Sequence, residues 1–289
     1  MPAENHVENP FEYVIEKLSW TFSDLSRSLR RPRPHVIESP PAVRRIGRGD
    51  LIQSLREGLA DMAAVRDDVL FIGIIYPVAG LILANLFFRY ELLPMLFPLA
   101  SGFALLGPVA AIGLYEISRR RERGEHVSWG TGLKVLSSPA MGSILGLGSI
   151  LLVLFFAWLA SAYGIYALTL GPEPPKTAAA FFAQVFETPA GWAMITLGVG
   201  IGAVFAAAAL AIAAISFPLL LEHDVGMATA IRTSLKAVAE NPGTMALWGL
   251  IVAGLLVLGS LPALAGLIVV MPLLGHATWR LYRKVVVEP

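Results

Sequence analysis

The sequence contains no cysteine. That excludes disulfides, thiolate metal sites and lipidation on sulfur, and leaves the redox compartment unread. Charge is scarce: Asp, Glu, Lys and Arg make up 15% of residues, against about 25% in a soluble domain. Histidine is scarcer, with His6, His35, His126, His223 and His276 the only five. A haem or copper centre in a membrane oxidase needs several ligands inside the spans. Only His276 lies well inside an apolar run, so that chemistry is disfavoured. Gly198, Gly200 and Gly202 superficially echo a dinucleotide fingerprint, but they follow no strand and fail its context test. No catalytic, cofactor or metal motif is found, so no catalytic, cofactor-binding or metal-ligating residue is expected. The first apolar run starts near Val69, too late in the given sequence for a cleavable signal peptide.

What the chain has is apolar surface. Its hydrophobic fraction is 56% before 27 glycines are added, and its mean hydropathy is +0.67. A soluble core could not hide this much, whereas a bilayer can, because about 20 helical residues cross a hydrocarbon layer of about 30 Å. Six runs stand out, roughly Val69 to Phe88, Leu92 to Leu114, Gly142 to Leu168, Trp192 to Leu219, Met245 to Leu261 and Ala263 to Leu281. The third and fourth exceed the needed length, so tilt or an interfacial end is expected in each. Read as spans, they place 20 of the 22 Lys and Arg residues on one side and two on the other. Basic residues beside spans stay cytoplasmic, so both termini are expected in the cytoplasm.

The expected fold is therefore all-α and polytopic, with six transmembrane helices. Residues 1–49 form a cytoplasmic N-terminal extension, 50–284 the membrane domain, and 285–289 a short cytoplasmic tail. In the extension, Asn9 and Pro10 resemble a helix cap and first helical position. Phe11, Val14, Ile15, Leu18, Phe22, Leu25 and Leu29 then recur at helical spacing. Two alternatives stay open for this amphipathic helix: it lies on the bilayer surface or docks on the protein. A proline- and arginine-rich linker follows to Gly49. Ten basic residues lie in the first 68. Beside a span they point to anionic lipid at the cytoplasmic face rather than nucleic acid.

The membrane domain reads as three repeated helical hairpins, each preceded by a cytoplasmic amphipathic helix. Those helices fall near Leu51 to Arg66, Ser128 to Leu136 and Met227 to Glu240. SPAMGSILGL from Ser138 lies over NPGTMALWGL from Asn241, and GPVAAIGLYEISRR from Gly107 over MPLLGHATWRLYRK from Met271. In the second pair Pro108 meets Pro272 and Tyr115 meets Trp279. All the hairpins start on one side, so the axis relating them would follow the membrane normal. On the far side, Gly171 to Gly191 is the only sizeable loop. Phe181, Phe182, Val185 and Phe186 share one helical face there, predicting a short interfacial helix.

Four strings, FPLASGFALLGP (Phe97 to Pro108), GLYEISRRRERG (Gly113 to Gly124), SFPLLLEHD (Ser216 to Asp224) and GHATWRLYRK (Gly275 to Lys284), carry a resemblance. Over about Arg45 to Lys284 the chain resembles the bacterial integral-membrane family known as domain of unknown function 2189. The resemblance implies a multi-pass protein of the inner membrane of a Gram-negative bacterium. The family has no established activity, so no functional residues carry over.

Three polar residues are singled out as candidates. His276 lies about two helical turns inside the membrane from Arg283. An ionisable residue at such depth is by default a functional hypothesis, and the bland alternative is a neutral ring bonded to a neighbouring carbonyl or hydroxyl. Glu116 and Arg280 occupy matching positions in two return spans near the cytoplasmic boundary and could pair if those spans adjoin; the bland alternative is an interfacial ion pair or two separately hydrated ends. Tyr115 and Trp279 read as interface aromatics. Glu222, His223 and Asp224, with Glu125 and His126, match no standard metal-ligand spacing; a solvated turn explains them. Gly198 with Gly202, and Gly142 with Gly146, have the small-xxx-small spacing of close helix contacts.

Two readings of function follow. The first is a non-enzymatic membrane scaffold, assembly or lipid-environment protein. The alternative is a small permease or channel-like transporter, which needs a polar pathway through Ser101, Ser149, Thr196, Ser216, Ser260 and His276. An intramembrane enzyme is weakest, since no nucleophile–base pair can be named.

Overall fold

The computed structural model describes residues 41–64, 92–125, 127, 132, 134–261 and 265–287. The expected N-terminal amphipathic helix and the first apolar run, Val69 to Phe88, lie outside the described residues. So does most of the second expected amphipathic helix, of which Lys134–Ser137 forms a single 3-10 turn.

The described chain is helical. The helices are α1 (Arg48–Ala64), α2 (Leu93–Leu105), α3 (Gly107–Ala110), α4 (Ile112–Glu122), α5 (Met141–Thr169), α6 (Ala178–Glu187), α7 (Pro189–Ala213), α8 (Ser216–Glu222), α9 (Met227–Glu240), α10 (Pro242–Ser260) and α11 (Leu267–Val285). Among the described residues the β pairing is one isolated antiparallel bridge, Val43 to Val286.

Three helical stretches are long and apolar enough to cross a membrane: α5, the combined Pro189–Glu222, and α10. The 29 residues of α5 extend about 43 Å at 1.5 Å each. These helices also carry apolar side chains on their outer surface, including Val153, Phe156, Val204, Leu250 and Val257. Lipid, not water, suits that surface.

Proline position decides which helices break. A proline lacks the N–H that would bond the carbonyl four residues earlier, and its ring crowds that carbonyl. Pro218 faces Ala214, and the fourth run divides there into α7 and α8. Pro108 faces Ala104, and the second run breaks around Leu106 into α2 and α3, with a further turn at Ala111 before α4. Pro272 lies inside an unbroken α11. Its crowded carbonyl belongs to Ile268, in the first turn, where little helix precedes it. The chain breaks beside Pro108, whereas Pro272 causes no break in its helix.

Most of the buried side chains form one large cluster, which spans α4, α5, α8, α9 and α11. A small separate cluster of Leu93, Tyr166, Phe181 and Val185 lies where α2, α5 and α6 meet. α9 occupies the segment expected for the third amphipathic helix, and begins after Gly226, whose φ of 73° suits glycine.

Helix α1 lies along α11 in close contact. Its inward face is Leu51, Ser54, Gly58 and Asp61, a stripe of small and polar residues. A Cβ on Gly58 would come within 2.6 Å of the Ala277 backbone nitrogen, so only glycine permits this approach. The first and last described segments join the same body. Arg44 N–H donates to the Val285 carbonyl, Val287 N–H donates to the Ala42 carbonyl, and Asn241 Oδ1 accepts from Ile46 N–H at 2.8 Å.

Candidate functional site

Helical spacing places polar side chains in pairs at one end of the bundle. Ser118 and Arg121 are three apart on α4; His276 and Arg280 are four apart on α11. Each pair shares a helix face. Asp61 on α1 meets both pairs. Arg280 binds it with two bonds, Nε to Oδ2 and an NH2 to Oδ1, each 2.8 Å. Arg121 donates to Oδ1 at 2.6 Å and to the Ala60 carbonyl. Ser118 Oγ donates to Oδ2 at 2.9 Å and lies 2.8 Å from His276 Nδ1. Asp61 is 2% exposed and His276 0%.

The direction of the Ser118 proton sets the His276 tautomer. A serine hydroxyl has one proton. With that proton directed to Asp61, Ser118 offers His276 only lone pairs, so Nδ1 of His276 carries the proton in this arrangement. The carboxylate linked to His276 comes from α1 rather than from a span.

The expected Glu116–Arg280 pair does not form, although α4 and α11 adjoin. Glu116 turns to its own helix instead, accepting from Arg120 Nε at 2.5 Å and Arg119 at 3.0 Å. Arg280 reaches α1, where Asp61 accepts from its Nε and one terminal nitrogen, while the other terminal nitrogen lies 3.8 Å from Glu122. The Glu116 bond raises the Arg120 pKa further above its ordinary value. Arg119 also caps α8, donating to the Leu221 carbonyl at 2.7 Å.

A second acidic group sits beside the first. Glu122 accepts from the Trp279 indole at 3.1 Å and from Arg283 at 3.2 Å. Glu222 accepts from the Tyr282 hydroxyl at 2.5 Å and lies 3.2 Å from Arg283. Lys284 bonds Glu57 of α1 at 2.9 Å. Thus α1, α4, α8 and α11 are tied by one ionic cluster. Tyr115 and Trp279 are not interface aromatics: both are buried in the large cluster. Glu222 is part of the ionic cluster rather than a solvated turn, and among the described residues no group of acids and histidines is arranged to hold a metal.

The hydroxyls of the supposed polar pathway lie elsewhere. Ser101, Ser149, Thr196 and Ser260 each donate to the carbonyl four residues back on their own helix, and Ser216 donates across the α7–α8 break to the Ile212 carbonyl. Ser149 and Thr196 are on the exposed surface. The glycine pairs serve different contacts. Gly202 faces the Trp158 ring, Gly146 faces the Met227 sulfur, and Gly198 opens onto empty space.

Asp61, Ser118, Arg121 and Glu122 are the members sequence reasoning missed, whereas Glu222 stands out in the sequence but reads there as part of a solvated turn. The i,i+3 and i,i+4 spacings on α4 and α11 were visible signals. Nothing local joins them to Asp61, which is 57 residues from Ser118 and 219 from Arg280.

An all-helical chain with three such apolar helices and a buried ionic cluster at one end is an integral membrane protein in class. Residues 96–222 match the family model described as predicted integral membrane protein, domain of unknown function 2189, which is the family that the sequence resembles. No curated protein and no solved structure matches the chain.

Proposed function

We propose that this protein is a non-enzymatic scaffold, assembly or lipid-environment protein of the bacterial inner membrane, with six crossings and cytoplasmic termini. The observation that carries the reading is the ionic cluster around Asp61. Its carboxylates are taken up by guanidiniums and hydroxyls of the same chain, joining four helices. Such a cluster fixes an arrangement, and registry is the best-attested use of buried ions. The hydroxyls bonded back to their own helices favour this reading over the permease.

The termini support the topology. Val43 and Val286 are bridged, so an even number of crossings separates them. In this reading five passages fall on α2 to α4, α5, α7 with α8, α10 and α11, of which α5, Pro189–Glu222 and α10 are long and apolar enough to cross a membrane. A sixth falls by sequence on Val69 to Phe88. The exposed Arg44, Arg45, Arg48 and Arg56 suit anionic lipid at the cytoplasmic face.

Two experiments test this. Reporter fusions at Pro175 and Pro289 are expected on opposite sides of the membrane; the same side for both ends the six-crossing reading. A chain carrying Ser101→Ala, Ser149→Ala, Thr196→Val and Ser260→Ala is expected to complement a deletion strain fully. Lost function at normal membrane yield and thermal stability would instead support the permease.

A further inference from the structure

At the end of the bundle away from Asp61, α2, α5, α6 and α7 line a half-open cavity of about 370 Å³. Its walls include Leu93, Phe97, Trp158, Phe181, Val185 and Ile195. We propose that this cavity binds one acyl chain of a bilayer phospholipid. The inference rests on the bilayer placement of α5 and α7, not on the scaffold reading.

The walls specify the chemistry. Two lining side chains carry polar atoms, and both are engaged. Trp158 donates its indole N–H to the Pro98 carbonyl at 2.9 Å, and Tyr166 donates its hydroxyl to the Glu173 carbonyl at 2.6 Å. A buried water needs two to four polar partners, so water is a poor occupant. A sugar or headgroup would lose its own hydrogen bonds here. The volume falls within the range of small-molecule sites, near its lower end.

Position selects the acyl chain among apolar ligands. The cavity is walled by two candidate spans and roofed by α6, which joins their outer ends. Around that junction Tyr163, Phe186 and Trp192 are 51%, 56% and 57% exposed. Exposed aromatics of this kind mark the headgroup level. Phe182 and Phe186 stack nearly parallel, with ring centres 6.4 Å apart. The cavity therefore begins where a lipid's chains begin. Gly198 lines it, and a Cβ there would meet nothing within 4 Å.

The test uses the full chain in vesicles of phosphatidylethanolamine and phosphatidylglycerol, doped with a phospholipid bearing a diazirine in one chain. After irradiation, adducts are mapped by mass spectrometry. Adducts on Phe97, Phe181 and Val185 are expected to exceed those on the outward Val204 and Leu250. Gly198→Phe should lower the cavity adducts roughly tenfold relative to Val204, the equivalent of about two methylenes losing apolar contact. Gly198→Leu, with thermal stability measured alongside, provides the same readout if the larger side chain impairs folding. Equal labelling of cavity and outer surface, or labelling that Gly198→Phe and Gly198→Leu leave unchanged, overturns the proposal. The first apolar run is the rival occupant. Because the chain has no cysteine, Leu81→Cys with Gly198→Cys tests it cleanly, and an efficient disulfide between them would also overturn the proposal.

Discussion

At one end of the bundle, Asp61 holds Arg280, Arg121 and Ser118, and a glycine–alanine contact brings α1 against α11. At the other end, Phe181 and Val185 touch Leu93 and Tyr166 beside an apolar cavity. The first end is dense and ionic; the second is loosely filled. Dispersion and the hydrophobic effect do not discriminate finely among apolar neighbours. Hydrogen-bonded ions do, since a wrong partner leaves a charge bare. The difference locates geometric specificity at the ionic end of the bundle and adaptability at the apolar end.

The largest test of this contrast is Asp61→Ala. It removes a buried carboxylate from Arg280, Arg121 and Ser118, leaving the half-buried Arg280 with only a distant partner in Glu122. Breaking a buried pair by removing one partner costs about 3–5 kcal/mol. Unfolding followed by tryptophan fluorescence in detergent should show a loss of that size. Asp61→Leu combined with Arg121→Met and Arg280→Met should recover much of it, because apolar replacement of a whole buried ion group is often neutral. A loss under about 1 kcal/mol for Asp61→Ala would mean that the rim is no more specific than the far end.

A matched pair of glycine substitutions sharpens the comparison. Gly58→Ala places a methyl group against the Ala277 backbone, which cannot yield as a side chain could. Overpacking of this kind costs about 1–3 kcal/mol. Gly198→Ala meets nothing and should gain up to about 1 kcal/mol of helix propensity. Opposite signs in the same unfolding assay are expected. Equal effects would show that both ends tolerate change alike.

Much of this architecture was readable from the chain. The third run, Gly142 to Leu168, became α5 with one residue added at each end, because a long uniform apolar stretch has few alternatives to a span. Met227 to Glu240 became α9. The break between α7 and α8 was hidden, since Ala214 and Ile215 are as apolar as their neighbours and only Pro218 marks the place. The site was harder. His276 was conspicuous as a lone ionisable residue, but Asp61 looked like any surface acid on an amphipathic helix. Its burial depends on which face of α1 meets α11, and the apolar pattern misleads there. Ile52 and Leu59 are 53% and 50% exposed while Ser54, Gly58 and Asp61 face inward. The Glu116–Arg280 expectation failed for the same reason: adjacency of helices does not choose partners when a third helix brings a better one.

His276 separates a hydrogen-bonding role from a packing role within the rim. His276→Leu removes the ring donor from Ser118 in a fully buried setting and should cost about 1–2 kcal/mol. His276→Gln retains a donor and an acceptor and should cost less. Thermal unfolding of the two variants, beside Asp61→Ala, checks the order. If Leu proves as stable as the parent, the link from α11 through Ser118 to α1 contributes nothing beyond shape.

The smallest effects are expected outside both ends, on the lipid-facing hydroxyls. Ser149 and Thr196 donate to Leu145 and Trp192 carbonyls that their own helices already engage. Such back-bonding slightly weakens a helix rather than supporting it. Ser149→Ala and Thr196→Val should each change stability by less than about 0.5 kcal/mol, the range of substitutions away from special features. The argument depends on the hydroxyls having no role beyond local satisfaction. Unfolding measurements on each variant and on the pair check it. A loss above about 1 kcal/mol for the pair, greater than the sum of the singles, would mean that the two sites share an interaction. That result would undo the contrast drawn here, because it would place a polar coupling in the middle of the span, between an ionic rim and an apolar cavity.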